Sequence, residues 1–297
     1  MTAITSIHDK FIRAILADTE IAISYFKACL PENIADLLDW STLTQLSDTY
    51  ISKELREKIS DIVYGCRRKD STRKVKISIL FEHKSKPEKF TPVQLLNYLS
   101  SGFQKQAAQD KEVSPIIPIL LYHGKERWRY RTLATLFNAP DQELRPFIPE
   151  YDYIYHDLGE ISDEDIQLLE NKFLRASFLA LKYSQLKAEL VKWIPTILAL
   201  SAEATENLQT SLFVYTFEVS ELEEDQIIRL SEEVPANIKN TVMSTADVFI
   251  EKGKREKTEK GVRNMILRNY SDKEICEVQE VTPDYVARIR KELADKE

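Results

Sequence analysis

Glycine is scarce, with six in 297 residues. A large all-β fold uses glycine at many tight turns, so that class is not expected. Cysteine is scarcer. Cys29, Cys66 and Cys276 are scattered and odd in number, give no zinc spacing and fit a reducing compartment. The expected location is therefore cytoplasmic. No apolar run approaches the ~20 residues that cross a bilayer, so no membrane partner is expected. The opening MTAITSIHDKF has no basic leader and no long apolar stretch, and a signal peptide is not expected. An overall positive charge is also missing. Lys and Arg number 41 against 48 Asp and Glu, a net of −7.

The distribution of that charge is more informative than its sum. Residues 51–130 hold 17 basic and 9 acidic side chains, whereas 131–250 hold 9 and 21. A local positive excess attracts a phosphate backbone, in a salt-dependent way. The bland alternative is lysine that solvates loops and strand edges. Hydrophobic residues make up 43%, enough for a sizeable core, and the length fits about two domains.

The stretch from Ile59 to Tyr98 holds the chemistry. In KVKISILFEHK, Val75, Ile77, Ile79, Phe81 and His83 fall on one face, and Lys76, Ser78, Leu80, Glu82 and Lys84 on the other. That alternation is a strand signal. Glu82 and Lys84 therefore project together at the end of an apolar strand, which is costly unless they pair or act. Asp61 lies on the preceding predicted strand. If the two strands are neighbours, Asp61 and Glu82 converge. Two carboxylates beside a lysine suit Mg²⁺, which prefers hard oxygen ligands and substrate phosphate.

Asp61, then Glu82-His83-Lys84, then Gln94-Leu95-Leu96-Asn97-Tyr98 resembles the D…ExK…QxxxY pattern of the PD-(D/E)XK nuclease superfamily. Within it, the wording resembles the bacterial recombination-promoting nuclease/putative transposase family. The supporting phrases are His8-Asp9-Lys10-Phe11, Cys29-Leu30-Pro31, Ser60-Asp61-Ile62-Val63-Tyr64, Glu82-His83-Lys84-Ser85 and Pro118-Ile119-Leu120-Leu121-Tyr122-His123-Gly124. The likeness covers residues 1–160 well and the rest loosely. Many family members read EHQ where this chain reads EHK, so Lys84 restores the superfamily's usual residue.

The resemblance implies an α/β fold, a PD-(D/E)XK restriction-endonuclease-like core whose central mixed sheet is flanked by helices, with an α-helical C-terminal region. It implies a metal-dependent DNA endonuclease. Asp61 and Glu82, with the His83 carbonyl, would bind Mg²⁺, with Mn²⁺ or Ca²⁺ as alternatives. Lys84 would stabilise charge on the phosphate or orient the nucleophile, and Gln94 would position substrate or water. Tyr98, four residues on, shares the Gln94 helix face and is expected to meet DNA. Asp9 of the opening phrase is a candidate helix cap, with a site role as the alternative. The default for His8 is a surface position, and for His123 a turn.

Along the chain, residues 8–30 read as one helix ended by Pro31. Residues 32–39 suggest a short helix, and strand structure is expected ahead of Asp61. Arg67, Arg68 and Lys69 open a basic hairpin turn that either contacts the DNA backbone or is simply solvated. Thr91-Pro92 starts a helix. The apolar run from Ser114 reads as a buried strand, parallel to a neighbour because a helical crossover precedes it. WRYRTLATLF suggests a short helix, and residues 151–158 an edge strand with a structural His156. The expected divisions are a nuclease-like domain over 1–160, an acidic helical region over 161–250, and a charged linker with a helix-turn-helix-like segment over 251–297.

Pro195 should kink or divide one of the acidic-region helices, and SLFVYTFEVSEL fits either a buried helix or a strand. Ser271 with Glu274 forms a capping-box pattern, and Thr282-Pro283 caps the next helix. That last segment fits DNA binding or a small interaction module equally. The function expected is a DNA endonuclease. A non-cleaving DNA-binding or protein-interaction protein of transposase ancestry is the alternative, with homo-oligomerisation through the helical half.

Overall fold

The computed structural model describes residues 3–46, 60–69, 74–81, 87–108, 113–138, 141–222, 224–232 and 234–294, and of 3–6, 60–61, 74–81 and 231 the backbone alone. The chain divides into two compact units, Met1–Glu221 and Leu222–Glu297.

The first unit is mixed α/β and is built on one five-stranded sheet. Its strands are β1 (Leu38–Gln45), β2 (Ser60–Arg68), β3 (Lys74–Phe81), β4 (Ile116–Tyr122) and β5 (Ile154–Asp157), lying in that spatial order. β1, β2 and β3 pair antiparallel, and β3, β4 and β5 parallel. The change of direction follows from the connections. Only five residues of sequence separate β2 from β3, which suits an antiparallel pair, whereas two parallel strands need a crossover. The crossover from β3 to β4 contains helix α4 (Thr91–Ala108), and β5 takes the sheet edge as expected.

Strand alternation divides the sheet into two buried faces. The Tyr64 hydroxyl donates to the Leu16 carbonyl, and its ring meets Phe26 edge-on at 5.2 Å. That face belongs to α1 (Ala3–Leu16) and α2 (Thr19–Cys29). On the other face Val63, Leu120 and Tyr122 pack with Leu95 and Tyr98 of α4. A short α3 (Glu32–Ala35) leads into β1.

The expected single helix over 8–30 is two. The break falls at Ala17-Asp18, where the Asp18 carboxylate accepts hydrogen bonds from the Glu20 and Ile21 N–H groups and caps α2. Apolar residues recur on both sides of the break and disguise it. Asp9 therefore lies inside α1 and caps nothing. His8 is not at the surface. It is 1% exposed, and its Nδ1 lies 2.7 Å from the Tyr215 hydroxyl. His123 is buried too, with its ring 4.8 Å from that of His8.

Among the described residues, four further helices belong to this unit: α5 (Asp163–Leu168), α6 (Lys172–Lys182), α7 (Lys187–Leu200) and α8 (Glu206–Ser220). Ser162 and Asn171 cap α5 and α6 through their side chains. Pro195 lies inside α7 without dividing it. The SLFVYTFEVSEL segment is helical, and Phe213, Tyr215 and Phe217 are buried. Phe11 stacks on Tyr215 at 4.2 Å, which ties α8 to α1.

The second unit is helical: α9 (Glu224–Glu232), α10 (Lys239–Leu267), α11 (Asp272–Gln279) and α12 (Pro283–Ala294). The charged EKGKREKTEKG run lies within the 29 residues of α10. Residue 250 is inside that helix, and residue 160 is inside the first unit, so neither expected division coincides with the boundary between units. The Ser271–Glu274 capping box forms, and the Thr282 hydroxyl accepts from the Tyr285 N–H. Val262, Ile266, Ile275, Val286 and Ile289 make a small core of their own.

Candidate active site and nucleic-acid interface

Asp61 sits near the start of β2, in register with Leu80 of β3. The same row continues through Leu120 of β4 to Tyr155 of β5. Asp61 has the strand parity of Val63, whose side chain packs against α4. The neighbouring-strand relation on which the sequence pattern depends is thus present in the backbone. Glu82, His83 and Lys84 follow β3 in the sequence and lie outside the described residues, as do residues 70–73.

Gln94 lies in the second turn of α4. Its amide nitrogen donates to the Glu88 carboxylate at 3.1 Å, and its buried Oε1 has no hydrogen-bond partner. A buried carbonyl without a partner is costly, so this oxygen is a ready acceptor for a donor brought by water or substrate. Tyr98 shares the helix face but is 3% exposed inside the apolar cluster. It anchors the helix to the sheet. Arg67 and Lys69 are exposed and Arg68 half-buried at the far end of β2. Six residues of strand separate Arg67 from Asp61, about 20 Å.

The end of the sheet nearer Asp61 carries cations that the motif did not single out. Lys89, Arg127, Arg129 and Arg131 line a cleft of about 650 Å³ with Pro87, Glu88 and Trp128. The expected helix over 128–137 is mostly absent, because only Leu133–Leu136 makes a 3₁₀ turn. The Arg127–Arg131 segment is irregular backbone. The signal in the sequence was its alternation, with arginine at every second position and aromatics between. Asp157 was also missed. It is buried at the end of β5, where burial raises its carboxyl above the ordinary value, opposed by hydrogen bonds from the Gly159 N–H at 2.8 Å and the Tyr155 hydroxyl at 3.0 Å. Gly124 has to be glycine for space, since a Cβ there would collide with the Tyr122 ring and hydroxyl.

Among the described residues no group of three or more His, Cys, Asp or Glu is arranged to hold a metal ion. The donor set expected from the sequence, Asp61, Glu82 and the His83 carbonyl, would be all oxygen, the chemistry Mg²⁺ requires. No helix among the described residues is long and apolar enough to cross a membrane.

Comparison with known proteins follows the same lines. The chain is 26% identical over 165 residues to the Inactive recombination-promoting nuclease-like protein RpnE of Escherichia coli (strain K12), covering 54% of this chain and 54% of that protein. It is 26% identical over 122 residues to the Recombination-promoting nuclease RpnC of Escherichia coli (strain K12), covering 41% and 40%. It is 28% identical over 120 residues to the Recombination-promoting nuclease RpnA of the same strain, covering 40% and 40%. The chain thus spans about half the length of the curated relatives it matches, or somewhat less. No solved structure matches it. A family model described as "Putative transposase, YhgA-like" matches residues 6–211, sheet and site included, and the chain belongs to that family.

Proposed function

We propose that the chain is a metal-dependent DNA endonuclease with a PD-(D/E)XK core. The observation that carries this reading is the register of β2 and β3. Asp61 pairs with Leu80, two residues before Glu82 in the sequence, so the strands that carry or precede the two acids are neighbours, which supports the reading that the two carboxylates converge. Asp61, Glu82 and the His83 carbonyl would hold Mg²⁺, with Mn²⁺ or Ca²⁺ able to substitute. When bound, such an ion supplies Lewis acidity towards the scissile phosphate. Lys84 adds a fixed positive charge where charge builds on that phosphate. Gln94, held by Glu88, offers Oε1 to orient a water or a substrate hydroxyl. Arg67, Arg68 and Lys69 would contact the backbone at the far end of the strand pair.

The test is plasmid nicking with Mg²⁺, Mn²⁺ or Ca²⁺. Asp61→Ala should abolish it, and Lys84→Ala should lower it by about a hundredfold or more. Plasmid left intact with all three ions would remove the reading. A second reading has one observation in its favour. A relative matched over 165 residues is named inactive. A DNA-binding protein that does not cut would give gel shifts insensitive to Glu82→Ala and no nicking.

A further inference from the structure

Surface arginines are normally held loosely, and the Arg127–Arg131 segment is not. Three tyrosines at the end of the sheet each donate a phenolic hydrogen bond into its backbone. Tyr122 donates to the Glu126 carbonyl at 2.6 Å, Tyr155 to the Trp128 carbonyl at 2.6 Å, and Tyr153 to the Arg131 carbonyl at 2.8 Å. Trp128 is buried between, edge-on to Tyr122 at 5.1 Å and to Tyr155 at 6.1 Å. The backbone is fixed at both ends and in the middle, while Arg127, Arg129 and Arg131 remain exposed.

Among the described residues the side chains of Arg129, Arg131 and Lys89 form no ion pair. Arg127 pairs with Glu160 at 3.6 Å, with both partners well exposed, an interaction easily exchanged for another anion. Among the described residues, four cations and one carboxylate, Glu88, therefore line the cleft. The three arginines alternate with Trp128 and Tyr130, and all three are exposed while Trp128 is buried between them. Fixing the backbone reduces the entropy lost when the guanidinium groups engage a ligand.

We propose that Arg127, Arg129 and Arg131, with Lys89 across the cleft, form a strap that grips the phosphate backbone of duplex DNA. The strap hangs from Tyr155, which lies in the same sheet row as Asp61, three strands and about 14 Å away. This rests on the DNA reading above and names a contact surface separate from Arg67–Lys69. Arginine suits the role because its planar fork meets phosphate bidentately.

The experiment measures binding without cutting. Labelled duplex DNA is titrated with the full chain in EDTA between about 50 and 200 mM salt, and the slope of log affinity against log salt is read. The triple change Arg127→Gln, Arg129→Gln, Arg131→Gln should lower affinity at least tenfold and flatten the slope by about 2 to 3, because each lost phosphate contact contributes about 0.9. The triple lysine version should keep the slope, which separates charge from misfolding. An unchanged slope in the glutamine version overturns the strap whether or not the wild type nicks plasmid. So does a wild-type chain that fails to bind DNA, or equal competition by poly-glutamate. Strap-dependent binding without nicking in any metal leaves the strap standing and removes the nuclease reading alone.

Discussion

Two regions of the molecule carry arginine in patterns that suit nucleic acid, and they use it in opposite ways. In the Arg127–Arg131 strap the backbone is held by uncharged phenols, and Arg129 and Arg131 form no ion pair among the described residues, while Arg127 has only the exposed Glu160 at 3.6 Å. In the C-terminal helices the side chains are engaged by carboxylates. Arg290 pairs with Asp272 at 2.7 Å, Arg288 with Glu292 at 3.9 Å, and Arg263 with both Glu259 at 2.8 Å and Glu292 at 2.6 Å. A phosphate approaching α12 must first displace a partner already in place. Arg129 and Arg131 have no ion-pair partner among the described residues for a phosphate to displace. The helix-turn-helix outline of residues 271–294 closes a core of its own. What holds a cation says more about its use than how many cations a segment has.

The sharpest way to break the comparison is to remove the ring at the centre of the strap. Trp128 is 6% exposed within the tyrosine cluster. Trp128→Ala should cost about 3–5 kcal/mol, the range for truncating a buried aromatic, read from the urea midpoint. A loss below about 1 kcal/mol would mean that the strap does not hang from that ring.

Acid should also separate the two units. All four histidines, His8, His83, His123 and His156, lie in the first. His156 is 9% exposed against the Tyr25 and Phe178 rings, and burial lowers its pKa to about 4. The unfolded side chain titrates near 6.5, so between those values the unfolded state binds more protons. Stability is present above pH ~6.5 and is lost as pH falls towards ~4, by about 3 kcal/mol. Asp157 runs the other way. Its raised folded value means that its contribution is lost as pH rises through that value. His156→Phe should flatten the loss between pH 6.5 and 4 in denaturation midpoints followed across pH. An unaltered acid limb would assign the sensitivity to another group.

The fold was legible where one period ran cleanly. Strand alternation gave β3, the apolar run gave β4, and Thr91-Pro92 gave the start of α4. The parallel pairing followed from needing a crossover. Legibility failed where tertiary contacts decide. The break at Asp18 was hidden because apolar residues keep appearing across it. His8 is buried because α8 packs over α1, which no local pattern reveals. The motif drew attention to Asp61 and Gln94, and the register and the Glu88 contact give both a setting. The strap escaped notice because its alternation of arginine and aromatics mimics an amphipathic element. Its meaning lies in three distant hydroxyls.

The gentlest changes test whether preorganisation, and not charge alone, distinguishes the two regions. Tyr155→Phe removes the one phenolic proton, which the Trp128 carbonyl at 2.6 Å and the Asp157 carboxylate at 3.0 Å share, while keeping the ring. It should cost about 1–2 kcal/mol of stability. DNA affinity should fall severalfold with the salt slope unchanged, because the phosphate contacts persist but must be ordered on binding. Arg288→Ala with Arg290→Ala should do least. Exposed pairs are worth under about 1 kcal/mol each, and a helix whose arginines face its own carboxylates gives up no phosphate contact. Stability should move slightly and the slope not at all. A slope flattened by about 2 in that double variant would show that paired arginines can still let go of their partners for DNA. The difference between strap and helix would then lie in geometry and not in availability.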